Sequence, residues 1–260
     1  MNFVALPERL AHVRAEIARR QAVAGHTRPV TIVAVTKGFG QDAVAAALAA
    51  GLTDLGENRV QEALTKLDAP DGARATWHLI GHLQRNKAKH VPGRFALVHS
   101  LDSGLLADEL DRRAAARGVR QRVLLQVNVA GEAQKSGCGL AQAPALAHHV
   151  AARAHLALEG LMTIAPFTDD VDVQRSTFRA LRDLGDALEK EGLWLPTLSM
   201  GMSADYGVAV EEGATVIRLG TVLFGPRGRE TGEMGAGAGG AGGAGGAGET
   251  GAGTGGTSAL

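Results

Sequence analysis

Thr31–Gly38, reading TIVAVTKG, ends an uncharged β-branched run on a lysine. Such a run reads as a strand buried on both faces. A lysine at its carboxyl end is a candidate nucleophile, because a drier site lowers the pKa of an amine. Lys37 could form a Schiff base with a carbonyl, or it could be the solvated end of a strand that has reached the surface. Its company matters. LSMGMS brings Ser199, Met200, Gly201 and a second hydroxyl at Ser203, and IRLGT brings Arg218, Gly220 and Thr221. Hydroxyls beside an open, glycine-containing backbone suit an anion such as phosphate, although each motif alone is also an ordinary turn.

These residues share a site only if the intervening elements bring their strand ends together. Leu6, Leu10, Val13 and Ile17 recur at helical spacing after Pro7, and Gly25 closes that helix. Strands are then expected from Thr31, at Asp54–Gly56, Trp77–Ile80, Phe95–His99, Arg122–Val129, Leu156–Met162, Leu195–Leu198 and Thr215–Leu219. Helices are expected between them, including 41–50, 84–90, 171–190 and 204–212. Strict alternation demands parallel strands with crossover helices. Eight units in residues 1–230 predict one (β/α)8 TIM barrel, with the opening helix as an extra covering its bottom. An open doubly wound sheet is the competitor, but its first strand is usually followed by a glycine-rich fingerprint, and here TKGFG follows instead.

In such a barrel function gathers where strands end, with phosphate commonly bound after the seventh and eighth. The Ser199 and Gly220 motifs fall there, and Lys37 ends the first strand. An amine, phosphate donors and an arginine to face a ring nitrogen are together what pyridoxal 5′-phosphate requires.

The segments AVTK, LGENRVQE, WHLIGHLQRNK, HSLDS, LLQVNVAGEAQKSG, GLMTI, LSMGMSADY and IRLGTVLFGPR run in order from the first strand to Arg227. In these the chain resembles the pyridoxal phosphate homeostasis proteins, whose barrel is related to the N-terminal domain of alanine racemase. The resemblance implies that Lys37 carries the cofactor as a Schiff base and that Ser199, Gly220 and Thr221 grip its phosphate within the SMG turn of Met200 and Gly201. It also implies that Arg218 faces the pyridine nitrogen, with Asn58 and His78 nearby. It implies cofactor management and supply, with apoenzymes that use the cofactor as partners; a racemase-like enzyme is the alternative. Gly38–Phe39–Gly40 departs from the family, which more often has proline there, so a looser first loop is expected.

The remaining signals bound the reading. Residues 231–260 hold 14 of the 36 glycines and are expected to be a disordered low-complexity tail. Without that tail 27 basic residues face 25 acidic ones, a balance that favours neither nucleic acid nor an anionic membrane. One cysteine, no visible secretory signal and no long apolar run point to a cytoplasmic, membrane-free chain, and a monomer is expected. His78 and His82 have metal-helix spacing, but they flank a strand end, so no metal is expected. Cys138, in KSGCGL, reads as a loop residue; Arg85, Lys87, Lys89 and His90 read as a solvated helix face.

Overall fold

The computed structural model describes residues 3–226, which leaves the glycine-rich stretch and its expected disorder outside the described residues. Eight parallel strands alternate with helices: β1 Thr31–Val35, β2 Asp54–Glu57, β3 Thr76–Leu79, β4 Leu97–Leu101, β5 Gln121–Asn128, β6 Leu156–Met162, β7 Thr197–Ser199 and β8 Val216–Leu219. They pair in sequence order, and β8 closes the ring on β1 with Val33 opposite Arg218. This is the TIM barrel expected from the alternation. No helix among the described residues is long and apolar enough to cross a membrane.

The outer ring has one irregularity. The helices are α1 Leu6–Ala24, α2 Gln41–Ala49, α3 Val60–Leu67, α4 Gly104–Ala115, α5 Ala143–Ala151, α6 Val171–Lys190, α7 Tyr206–Glu211 and α8 Thr221–Phe224. The last has only four residues, because Gly225 turns the chain at φ +84° and Pro226 follows. Instead of covering the barrel's bottom, α1 packs on α7 and α8 and completes the ring that α8 leaves short. Its buried residues are Leu6, Leu10, Val13 and Ile17, the stripe read from the sequence. Arg20 of α1 pairs with Glu211, and Arg175 of α6 bonds Glu212 at 2.9 Å, so charged groups tie the end of α7 to both of its neighbours.

Two other expectations change. The helix expected over 84–90 is a 3-10 segment, Arg85–His90, with Lys87 N donating to Gln84 O at 2.9 Å. Six residues cut off by Pro92 are too few to nucleate an α-helix. Cys138 lies in a two-residue ladder on the end of β5, where Val127 pairs with it. The segment between folds back because Gln126 Nε2 donates to Ser136 O at 2.9 Å and Asn128 Nδ2 to Glu132 O at 2.8 Å. Burial pushes the Cys138 thiol up to about 11, leaving it little thiolate at neutral pH.

Alternation along each strand divides the core. Outward residues such as Leu55, Leu79 and Val98 pack beneath the helices, and Leu97, Leu124 and Met162 form a separate apolar cluster with Ile164. A polar file runs beside them through the interior. Asp54, His78, His99, Ser199 and Arg218 form one chain of hydrogen bonds across it, each link 2.7–3.1 Å long. Burial, with His78 and Arg218 nearby, drives the His99 pKa well below its ordinary 6.5.

The folded state therefore excludes a proton that the unfolded chain accepts. Stability should hold above pH 6.5 and fall as the pH drops below it, by up to about 1.4 kcal/mol per unit, until the depressed folded value is reached. Urea unfolding of the wild type and His99→Gln between pH 5 and 7.5 checks this: the substitution should flatten that part of the slope.

Candidate functional site

A cavity of about 630 Å³ opens at the carboxyl ends of the strands, a size ordinary for small-molecule sites. Lys37, Asn58, Arg218, Gly220 and Thr221 line it, joined by Ser203, Gln126 and Lys135. The other four expected residues do not line it. His78 and Ser199 lie deeper in the barrel, in the chain of hydrogen bonds; Met200 packs in the core and Gly201 is a buried turn.

Lys37 is half-buried two residues beyond the end of β1, and its neighbours are clamped. Glu57 at the end of β2 and Lys66 of α3 are both buried. Lys66 Nζ donates to Glu57 Oε1 at 2.6 Å, to the Thr36 carbonyl at 2.8 Å and to Glu62 at 3.1 Å. Thr36 Oγ1 donates to Glu57 at 2.6 Å, and Gly38 N to Glu62 at 2.7 Å. Both peptide neighbours of Lys37 are thus held by one cluster. Burial raises the Glu57 pKa, although Lys66 and Thr36 act against it. The loop expected to be looser is pinned as well by Phe39, whose ring packs against Phe3 and Phe224 with centroids 5.8 and 5.4 Å away.

Across the cavity, Arg218 is fully enclosed by the barrel. Its Nη1 donates to Ser199 Oγ at 2.7 Å and its Nη2 to the Thr163 carbonyl at 2.9 Å. Burial pulls the guanidinium down to about 10 while Asp205 works the other way, so it remains a cation at neutral pH. Its own amide bonds the Gly201 carbonyl at 3.0 Å. Gly201 has φ +93°, and a Cβ there would stand 2.6 Å from Ala209 Cβ; only glycine fits that turn. Gly81 similarly lets the backbone of Asn58 approach, since its Cβ would fall 2.4 Å from Asn58 O.

At the start of α8 the amides of Gly220 and Val222 converge on Ser203 Oγ, both at 3.3 Å. Bonds that long are weak, so the two donors and the hydroxyl form a pocket corner better suited to a stronger acceptor. The sequence offered Ser203 as a second hydroxyl of this motif, but the resemblance gave the phosphate to Ser199, four residues earlier. Sequence reasoning passed over Glu57, Glu62 and Lys66. The signal was available in part: Lys66 sits on the buried stripe of α3 with Val60 and Ala63, an unusual place for an unpaired lysine.

His82 lies at the cavity rim with Nδ1 3.3 Å from Asp102, while His78 points into the barrel. Among the described residues no cluster of three or more histidines, cysteines and carboxylates is placed to hold a metal ion.

The family model described as alanine racemase, N-terminal domain, matches residues 9–228. The pyridoxal phosphate homeostasis protein of Pseudomonas aeruginosa is 43% identical over 224 residues, spanning 85% of this chain and 96% of that protein. Its counterpart in Aquifex aeolicus is 46% identical over 178 residues, spanning 68% of this chain and 78% of the relative. Among solved structures, PipY of Synechococcus elongatus with PLP bound is 39% identical with a TM-score of 0.70, covering 80% of this chain and all of that one. An alanine racemase of Clostridium difficile in complex with cycloserine, at 13% identity and a TM-score of 0.66, covers 80% of this chain and 58% of its own, and shares the fold alone. By these matches the chain belongs to the pyridoxal phosphate homeostasis protein family, built on the barrel of the alanine racemase N-terminal domain.

Proposed function

We propose that this protein binds pyridoxal 5′-phosphate covalently through Lys37 and serves the supply of that cofactor to apoenzymes in the cytoplasm, acting as a monomer. The observation that carries the reading is the juxtaposition in one cavity of a half-buried lysine, a buried guanidinium and the Ser203–Gly220–Thr221 corner. The donor set matches the group. PipY, solved with PLP bound, supports the assignment.

The cofactor, when bound, supplies an aldehyde for the amine and an electron-withdrawing ring. The chain's own residues do the rest. Lys37 supplies the amine, with its backbone fixed by Glu57, Glu62 and Lys66. Ser203, Thr221 and the Gly220 and Val222 amides would hold the phosphate, and Asn58 would border the ring. Arg218 would face the ring nitrogen as a fixed cation; there it disfavours protonation of that nitrogen and weakens the ring as an electron sink. His78, Ser199, Met200 and Gly201 act in this reading from beneath Arg218 rather than on the phosphate.

Racemisation needs an acid/base group on each face of the substrate. Tyr206, the single tyrosine, begins α7 and packs against the outer core, with Glu16 and Arg20 of α1 nearby. It does not line the cavity.

Freshly purified protein should carry a visible absorbance band that hydroxylamine discharges, and Lys37→Ala should lose that band while still unfolding cooperatively. A borohydride-reducible adduct at full stoichiometry in Lys37→Ala would place the cofactor on another lysine. Ser203→Ala and Thr221→Ala should keep the covalent bond but release the cofactor more readily. Each loses a hydrogen bond to a charged group, about 1.5–3 kcal/mol, or roughly tenfold to a hundredfold in retention. Deuterium exchange at Cα of common amino acids should stay near background; turnover at an enzymatic rate that disappears in Lys37→Ala would replace this reading with a racemase.

A further inference from the structure

Barrel interiors of this fold are ordinarily filled by layers of branched aliphatic side chains. Here a file of polar groups also crosses the interior, beside the Leu97, Leu124 and Met162 cluster, from Asp54 at the start of β2 to Arg218 in the cavity. Asp54 Oδ1 lies 3.1 Å from His78 Nε2, His78 Nδ1 lies 2.9 Å from His99 Nε2, and His99 Nδ1 lies 2.8 Å from Ser199 Oγ. The Arg218 guanidinium completes it at 2.7 Å. At the far end Asp54 borders a second hollow of about 390 Å³ at the amino ends of β1 and β2, beside Arg14 and Gln21 of α1.

The direction of these bonds follows from the chemistry of each group. Arginine only donates and an ionised carboxylate only accepts, so both ends are fixed. His78 must present a proton to Asp54 from Nε2, which leaves its Nδ1 to accept when the ring is neutral. His99 then donates from Nε2 and accepts at Nδ1, and Ser199 donates its hydroxyl proton to that nitrogen while accepting from Arg218. Every donor meets an acceptor with both rings neutral. Reversing the middle bond would turn a lone pair of neutral His78 toward the Asp54 carboxylate and leave the Ser199 proton without an acceptor in the file.

We propose that Asp54, His78, His99 and Ser199 are positioning residues for the cofactor ring, a one-way relay that ties Arg218 to a carboxylate at the opposite end of the barrel. The inference rests on the reading that Arg218 faces the ring nitrogen. Through the relay the negative charge of Asp54 helps to balance a buried cation, and the interior dipoles align between the two. The low pKa of His99, set by burial, keeps that ring neutral, and the hydrogen bond from His78 holds Asp54 below the usual carboxylate range. Arg122 of β5, near Asp54, Arg14 across the hollow from it, and Asp205, near Arg218, also face the file.

Two measurements on the full-length, cofactor-loaded protein test this. Nitrogen-15 NMR at neutral pH should find His78 and His99 neutral and each protonated at Nε2; a proton on Nδ1 of His99 overturns the relay without any substitution. Asp54→Asn keeps an acceptor for His78 and removes only the charge. It should move the midpoint of the pH titration of the visible band downward by about half a unit or more, with covalent occupancy of Lys37 unchanged. Arg218→Met separates the two claims. If it shifts the titration and Asp54→Asn does not, the relay falls and the placement of Arg218 stands. If neither shifts it, Arg218 does not face the ring and both fall.

Discussion

A guanidinium that is 4% exposed has to find partners for its protons inside the protein, and several features of this barrel are explained by that demand. Arg218 cannot shed its charge at neutral pH, and an isolated buried cation would cost several kcal/mol. The side chain therefore draws in a hydroxyl from β7 and a carbonyl just beyond β6, while its amide takes the Gly201 carbonyl. Thr163, whose carbonyl it uses, is itself anchored by donating Oγ1 to the Val127 carbonyl at 2.8 Å. Four strands, β5 to β8, are fixed relative to one another around a single side chain. The glycine at 201 follows from the same demand, because its carbonyl can reach Arg218 only through a left-handed turn.

The opposite wall solves a related problem by other means. Glu57 is wholly buried, and its second oxygen has no hydrogen-bond partner among the described residues. Buried ion pairs of this kind are weak evidence for stability, since desolvation can exceed the attraction. What Glu57 and Lys66 contribute is geometry: they fix the carbonyl and hydroxyl of Thr36, while Glu62 fixes the amide of Gly38. The amine between them is left on a backbone that cannot drift. Lys37 and Arg218 thus face one cavity from walls held rigid by different buried charges.

Much of this was legible in the chain. Leu156–Met162 and Val171–Lys190 begin and end where hydrophobic patterning puts them, because both are long and their periods are unambiguous. Short elements were less readable. Arg85–His90, the Cys138 ladder and α8 depend on a proline, a folded-back loop and a glycine turn, none of which leaves a periodic trace. Within the site, sequence places a residue at a strand end but not at a depth. Ser199 ends β7 in the barrel interior, whereas Ser203 lies four residues on, past the Gly201 turn, at the cavity. The pairing of His78 with His99 was hidden for the same reason. Each sits on an inward face whose neighbours come from strands far apart in sequence.

The completion of the ring by α1 makes the first element of the chain a structural partner of the last. Thr31 pairs with Val216, and α1 lies on α7 and α8, so the seam joins residues separated by nearly the whole barrel. Closing so large a loop is entropically slow. Neighbouring β/α units can associate as they form, but until α7 and β8 arrive the stripe of Leu6, Leu10, Val13 and Ile17 lacks its seat and β1 has an unpaired edge. During synthesis the amino-terminal helix is therefore an exposed apolar face awaiting α7 and α8. A chain interrupted before Tyr206 would present both that face and an open sheet edge, the two surfaces through which nascent chains most readily stick to one another.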